Sequence, residues 1–207
     1  MEIINLYPGS LGANCYILFA GNEAMAVDPA VSAKAILTAV AQRGATLTGI
    51  LLTHGHFDHM LSLDTLRERS GVPAYIHEND AKMLTDGTLN AFSFFFKNER
   101  VWRAAERLLK DGDKLILGGE EITLLHTPGH TEGSSCFAFG DSLLTGDTLF
   151  FDNIGRSDLP GGDENALRRS LSRLRTLSPD TVIYPGHGDK ARLGDALDRA
   201  KYFFDLI

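Results

Sequence analysis

Two cysteines in 207 residues, Cys15 and Cys136, are too few for a disulfide scaffold, which fits a reducing compartment. Both sit in apolar stretches, NCYILFA and SSCFAFG, and read as inert buried thiols. Basic charge is scarce: 20 Lys and Arg against 27 Asp and Glu leave a formal charge of −7. That balance gives no general attraction for nucleic acid or anionic lipid. No apolar run reaches the roughly 18–20 residues that a bilayer span needs. The opening MEIINLYPG has no basic region followed by an apolar run, so no leader is expected and the cytoplasm is the default location. Linkers, low-complexity tracts and repeats are missing, so one layered domain over residues 1–207 is expected. A Gly-x-Ser-x-Gly elbow is also absent, which removes that serine-nucleophile arrangement.

What is present is an ordinary globular composition, 43% apolar and 23% charged, ordered as strand and helix patterns. EIINLY, NCYILFA and AMAVDPA read as strands, the last two joined by a turn at Gly21-Asn22. Ser32 is placed to cap a helix running to about Arg43, with Ala33, Ile36, Leu37 and Val40 inward and Gly44 as its stop. LTGILLT returns as a strand. A second helix is expected from Asp58, acting as its cap, to about Arg69, and PAYIH follows Gly71 as a strand. LNAFSFFFKNERVW is expected to be an irregular insertion whose aromatics pack over the domain edge, the alternative being a substrate-facing loop. From residue 111, DGDKLILG, GEEITLLHTPG, SSCFAFG and DSLLTGD read as short strands. A helix over Glu164–Leu177 with Leu167, Leu171 and Leu174 inward, the strand TVIY and a final helix over Leu193–Phe203 complete the pattern. Leu193, Leu197, Ala200 and Phe204 would dock that last helix on the body.

LLTHGHFDHM then stands out, because a buried strand delivers His54, His56, Asp58 and His59 almost side by side. Three further strand-end loops, TPGH, TGD and PGHG, add His130, Asp147 and His187. Imidazole nitrogen suits zinc, and a carboxylate binds one ion or spans two. Two cations about 3.5–4 Å apart can hold and activate one hydroxide. Positions 54 and 56 of an extended turn can aim one way, leaving 58 and 59 to address a neighbouring ion. His77 and His126 lie in strand-like surroundings and read as structural. Gly129, Gly186 and Gly188 are candidates for close backbone approach or positive φ.

Taken together, THGHFDH, TPGH, GDTLF and PGHG resemble the metallo-β-lactamase superfamily, THGHFDH matching its HxHxDH signature. FDNIGRSDLPGGD is similar to the branch of small glyoxalase II-like hydrolases. The resemblance covers nearly all of residues 1–190 and implies an α/β fold, the αββα sandwich, with two metals at one edge of the paired sheets. It implies His54, His56 and His130 as ligands of the first metal, Asp58, His59 and His187 of the second, and Asp147 as the bridge. Asp28 resembles the family's buried carboxylate that orients a ligand such as His59. VDPA puts Ala30 where the family often has Gly. Arg156 and Asp158 of GRSD are expected to fasten the loop carrying Asp147, with substrate contact as the alternative. Phe150 and Phe151 are candidates for lining the cleft or for the core.

The implied cofactors are two divalent metal ions, zinc first, with iron or manganese as alternatives. The implied reaction is hydrolysis of a thioester similar to S-lactoylglutathione by a hydroxide held between the metals, with Asp58 orienting it. Full-length glyoxalase II carries a further helical domain that supplies much of the glutathione surface. The residues after His187 are too few for one, so a glutathione-linked partner is an open expectation. Other readings are a lactone or ester hydrolase, a mononuclear iron persulfide dioxygenase, a nuclease and a non-catalytic metal-binding protein. Homo-oligomerisation is left open by the sequence.

Overall fold

Alternating apolar residues send each central strand into two different cores, which is what makes the chain a sandwich. The computed structural model describes residues 1–6 and 10–203, Ser10 by its backbone alone. Phe204, expected on the last helix, lies outside the described residues. Strands β1 (Glu2–Asn5), β2 (Tyr16–Ala20), β3 (Glu23–Val27), β4 (Thr46–Leu51), β5 (Ala74–His77) and β6 (Arg107–Leu109) form one six-stranded sheet in that order. Strands β7 (Lys114–Leu117), β8 (Glu120–His126), β9 (Ser135–Phe139), β10 (Ser142–Gly146), β11 (Val182–Pro185) and β12 (Ala191–Arg192) form a second, with β12 and β7 at its edges.

In β2, Tyr16, Leu18 and Ala20 face the second sheet, meeting Leu124, Phe137 and Phe139 between the layers. Ile17 and Phe19 point the other way, toward Ile36 and Val40 of helix α1 (Ala33–Gln42) and Leu63 and Leu66 of α2 (Leu63–Ser70). The second sheet repeats the division. Cys136, Leu143 and Ile183 face outward to α5 (Glu164–Leu174) and α6 (Leu193–Ala200), which cover them with Leu167, Leu171, Leu193 and Leu197. Two short helices, α3 (Ala81–Thr85) and α4 (Phe92–Phe95), occupy the connection between β5 and β6. Each such large side chain, taken out of water, contributes about 1.5–3 kcal/mol. The arrangement is the expected αββα sandwich.

Helix α1 begins and ends as the sequence suggests: Ser32 Oγ accepts from the Ala35 amide, and Gly44 turns the chain at φ 63°. The second helix differs. Asp58 does not cap it, because residues 57–59 form a separate 3₁₀ turn and α2 starts behind Ser62. The carboxylate is thereby left to face the cleft instead of a helix N-terminus. The aromatic insertion also differs from the favoured expectation: Phe92 and Trp102 pack inward, whereas Phe95 and Phe96 line a cleft. Strand β6 pairs with β5 in parallel through only three residues, too short for a periodic signal. Among the described residues no helix is long and apolar enough to cross a membrane.

Candidate metal centre

Strand direction brings the functional loops to one edge. The parallel pair β3/β4 releases Asp28 and the His54–His59 segment, and the parallel pair β10/β11 releases Asp147 and His187. His130 comes from the β8–β9 connection. The Ser135 amide donates to the Thr53 carbonyl at 2.9 Å, stitching the two sheets beside the histidines. Asn14, completely buried, donates from Nδ2 to the carbonyls of Pro185 and Gly188 at 2.9 Å each. Tyr16 Oη donates to the Pro185 carbonyl at 2.8 Å, so the loop carrying His187 is held from the first sheet. Gly186 is required by space: a Cβ there would lie 2.0 Å from Asp147 Oδ1. At Gly129 it would meet the Leu167 backbone nitrogen at 2.3 Å, at a φ of 136°.

Hydrogen bonds decide which imidazole nitrogens are left bare. Asp28, buried and at φ 48°, accepts from the Thr53 amide at 2.8 Å and from Thr53 Oγ1 at 2.7 Å. The Thr53 hydroxyl proton is thus committed, so at 3.0 Å it accepts from His54 Nδ1–H. That tautomer leaves His54 Nε2 as a lone pair, and it is buried without a hydrogen-bond partner. His130 Nδ1 donates to the Arg156 carbonyl at 2.7 Å, baring Nε2, which lies 2.8 Å from His56 Nδ1. His59 Nδ1 donates to Asp28 at 3.0 Å and presents Nε2 to His187 Nε2 at 3.2 Å. Asp147 stands between the groups, with one oxygen 3.5 Å from His59 Nε2 and the other 3.5 Å from both His130 and His187 Nε2. Asp58 Oδ2 is 3.4 Å from His187 Nε2.

Two sets of ligand atoms therefore lie within reach of one ion each: His54, His56 and His130, and Asp58, His59 and His187. Asp147 Oδ1 is also buried with no hydrogen bond. Orphaned lone pairs on buried histidines and a carboxylate are costly unless a cation meets them, so the donor set fits a binuclear metal centre. Electrostatics points the same way. Burial and neighbouring imidazoles push His54 well below its ordinary range, His56 to about 3, and His130 down, which keeps them neutral. Burial opposes charge on His59 as well, but Asp147 and Asp58 overcome it and hold that imidazole well above its ordinary value. Burial raises Asp58 and Asp147, yet His59 and His187 together outweigh it at Asp58, and His59, His54 and His130 together at Asp147, so both carboxyls sit low.

The remaining sequence candidates divide. Arg156 and Asp158 form a two-point ion pair at 2.6 and 2.8 Å, and the Arg156 backbone receives His130. Phe150 lines the cleft, while Phe151 lies under the Arg199 guanidinium at 4.3 Å. His77 and His126 stack on each other at 3.9 Å, away from the cleft lining. Sequence reasoning missed Asp80. Fully buried, it accepts from the Gly55 amide at 3.0 Å, Thr131 Oγ1 at 2.7 Å and the Gly133 amide at 2.6 Å. It thereby clasps the loop of His54 and His56 to the loop of His130, and burial pushes its pKa up to about 6. No local motif marks it or Asn14. Both cysteines are buried, their thiols pushed up to about 12 and about 11, so neither serves as a nucleophile.

Comparison with known proteins adds to this geometry. The chain is 41% identical to an uncharacterized protein of Mycobacterium leprae, over 94% of each chain. Among solved structures it is similar to the BLEG-1 B3 metallo-beta-lactamase, with 32% identity, a TM-score of 0.91 and coverage of 97% of this chain and 99% of that one. It is also similar to TTHA1623 in a di-iron-bound form, with 32% identity, a TM-score of 0.84 and coverage of 98% and 100%. Residues 8–187, which carry every loop of the metal centre, match the metallo-beta-lactamase superfamily, and the chain belongs to that family.

Proposed function

We propose that the chain is a binuclear metal-dependent hydrolase of acyl thioesters, of the glyoxalase II-like type. One observation carries this reading: the bared nitrogens and two low-pKa carboxylates converge at a cleft whose described lining residues include no serine or cysteine. His54, His56 and His130 would hold the first ion, Asp58, His59 and His187 the second, with Asp147 shared. When bound, the cations supply a water of lowered pKa and polarise the acyl carbonyl. Zinc suits the donor types, and iron is supported by the di-iron form of a similar structure.

The chain's own residues do the positioning. Asp28 fixes His59 in one tautomer and the Arg156 carbonyl does the same for His130. Asp58, ionised and part of the cleft lining, accepts a hydrogen bond from the attacking water and aims its lone pair. Water adds its oxygen to the acyl carbon, the carbon–sulfur bond breaks, and carboxylate, thiol and a proton leave. A thiolate leaves without a dedicated acid. The test is metal analysis of purified protein combined with turnover of S-lactoylglutathione, a lactone and a persulfide. Metal-dependent thioester cleavage with two ions per chain is expected. Lactone-only cleavage would replace the substrate, and one iron per chain with oxygen uptake would replace the reaction.

A further inference from the structure

The cleft above the metal residues has a volume of about 630 Å³ and is built from two aromatic and aliphatic walls. On one side, Phe57, next in sequence to His56, packs against Phe92, Phe95 and Phe96 with ring centroids 5.2, 5.7 and 5.8 Å away. On the other, Phe150 stands 6.1 Å from the His187 ring, with Ile154 and Leu159 also facing the cleft. The segment that carries Phe95 and Phe96 is hydrogen-bonded to the body at its base. Its base is held by the buried Asn90 side chain, which donates to the carbonyls of Met83 and Arg100 at 3.1 and 2.8 Å and accepts from the Phe92 amide at 3.0 Å. Trp102, buried behind it, ties its amide to the Leu84 carbonyl at 2.6 Å.

Yet Phe95 and Phe96 are 58% and 42% exposed, so this segment holds two phenyl rings partly in water beside the reactive groups. Apolar surface left in water gains stabilisation only when something apolar covers it. The same walls are poor in charge. Arg156 is the one guanidinium among the described lining residues, and Asp158 occupies it from two directions. A thiol carrier with carboxylates, such as glutathione, would meet there a guanidinium whose charge Asp158 already balances.

We infer that the cleft recognises an apolar acyl group, a medium alkyl or aryl chain seated against Phe95 and Phe96, and takes little of its affinity from the thiol carrier. The inference rests on the hydrolase reading and narrows its substrate class. The test uses N-acetylcysteamine thioesters, whose carrier is uncharged, from acetyl through hexanoyl and phenylacetyl, beside S-lactoylglutathione. About 0.8 kcal/mol per buried methylene corresponds to roughly three- to fourfold in kcat/KM per step. The hexanoyl thioester should therefore exceed both the acetyl thioester and S-lactoylglutathione by at least tenfold. The double variant F95S/F96S should cut the hexanoyl-to-acetyl ratio about tenfold, while F94S, altering a ring outside the cleft lining, should leave the ratio intact.

Binding of the non-hydrolysable S-hexyl thioether of N-acetylcysteamine, measured by calorimetry against the S-methyl compound, reads the cleft without turnover. Tight S-hexyl binding with no cleavage of any thioester would sink the hydrolase reading and leave the apolar cleft standing. Thioester cleavage with a flat chain-length series, or with S-lactoylglutathione preferred, would overturn the inference and leave the hydrolase.

Discussion

The two ligand clusters sit side by side yet follow opposite charge logic. His54, His56 and His130 are all buried, include no carboxylate, and are held neutral. Asp58 and His187 of the other cluster are partly open, and the carboxylates around His59 and His187 raise both imidazoles. The first cluster offers lone pairs on neutral imidazoles. The second already holds protons, which a cation must displace.

The most damaging change to this picture would be at Asp147, the residue within 3.5 Å of histidines from both clusters. D147A is expected to drop bound metal from two ions per chain to fewer than one and turnover by at least about a hundredfold. Two retained ions with near-full turnover would break the proposed assignment.

A chelator-competition series at pH 6.5, 7.5 and 8.5 would separate the two clusters. Affinity at the second cluster should rise by up to about tenfold per pH unit while His59 still carries its proton, and affinity at the first should stay nearly flat. Metal-free protein tests the charge on His59 directly. A raised imidazole stabilises the fold fully below its ordinary value of 6.5, and that contribution is lost as pH climbs through the folded pKa. The Tm of metal-free protein should therefore fall from pH 7 into the alkaline range; a rise would contradict the charge assigned to His59.

The smallest effect should come from D80N, which keeps the shape of the clasp but alters its acceptors. Affinity at the first cluster should fall about tenfold, with the second unchanged, because Asp80 holds the loops of His56 and His130 and not that of His187. Equal losses at both clusters would make Asp80 a general stabiliser.

The readable part of the centre was the part compressed into short chain segments. His54, His56, Asp58 and His59 fall within six positions after an apolar strand, and the unbroken apolar run of β2 is itself legible as a strand. Asp80 and Asn14 could not be read this way. Their partners lie 25 and 53 residues away for Asp80, and 171 and 174 for Asn14, so nothing local announces them. Asp58 was misread as a cap because a polar residue before an apolar helix has the same pattern whether or not a 3₁₀ turn intervenes. The phenylalanines of residues 92–96 were ambiguous for a related reason: apolarity reports a wish to be covered, not by what.

Each cluster takes two residues from a loop of the first sheet and one from a loop of the second. A seated cation would therefore rivet the sandwich at the edge where its layers are otherwise joined by a few hydrogen bonds. At a thousand times its dissociation constant, a ligand that binds only the folded state adds about 4 kcal/mol to stability. Starved of metal, such a molecule is more than idle: its lifetime against unfolding and proteolysis shortens together with its chemistry.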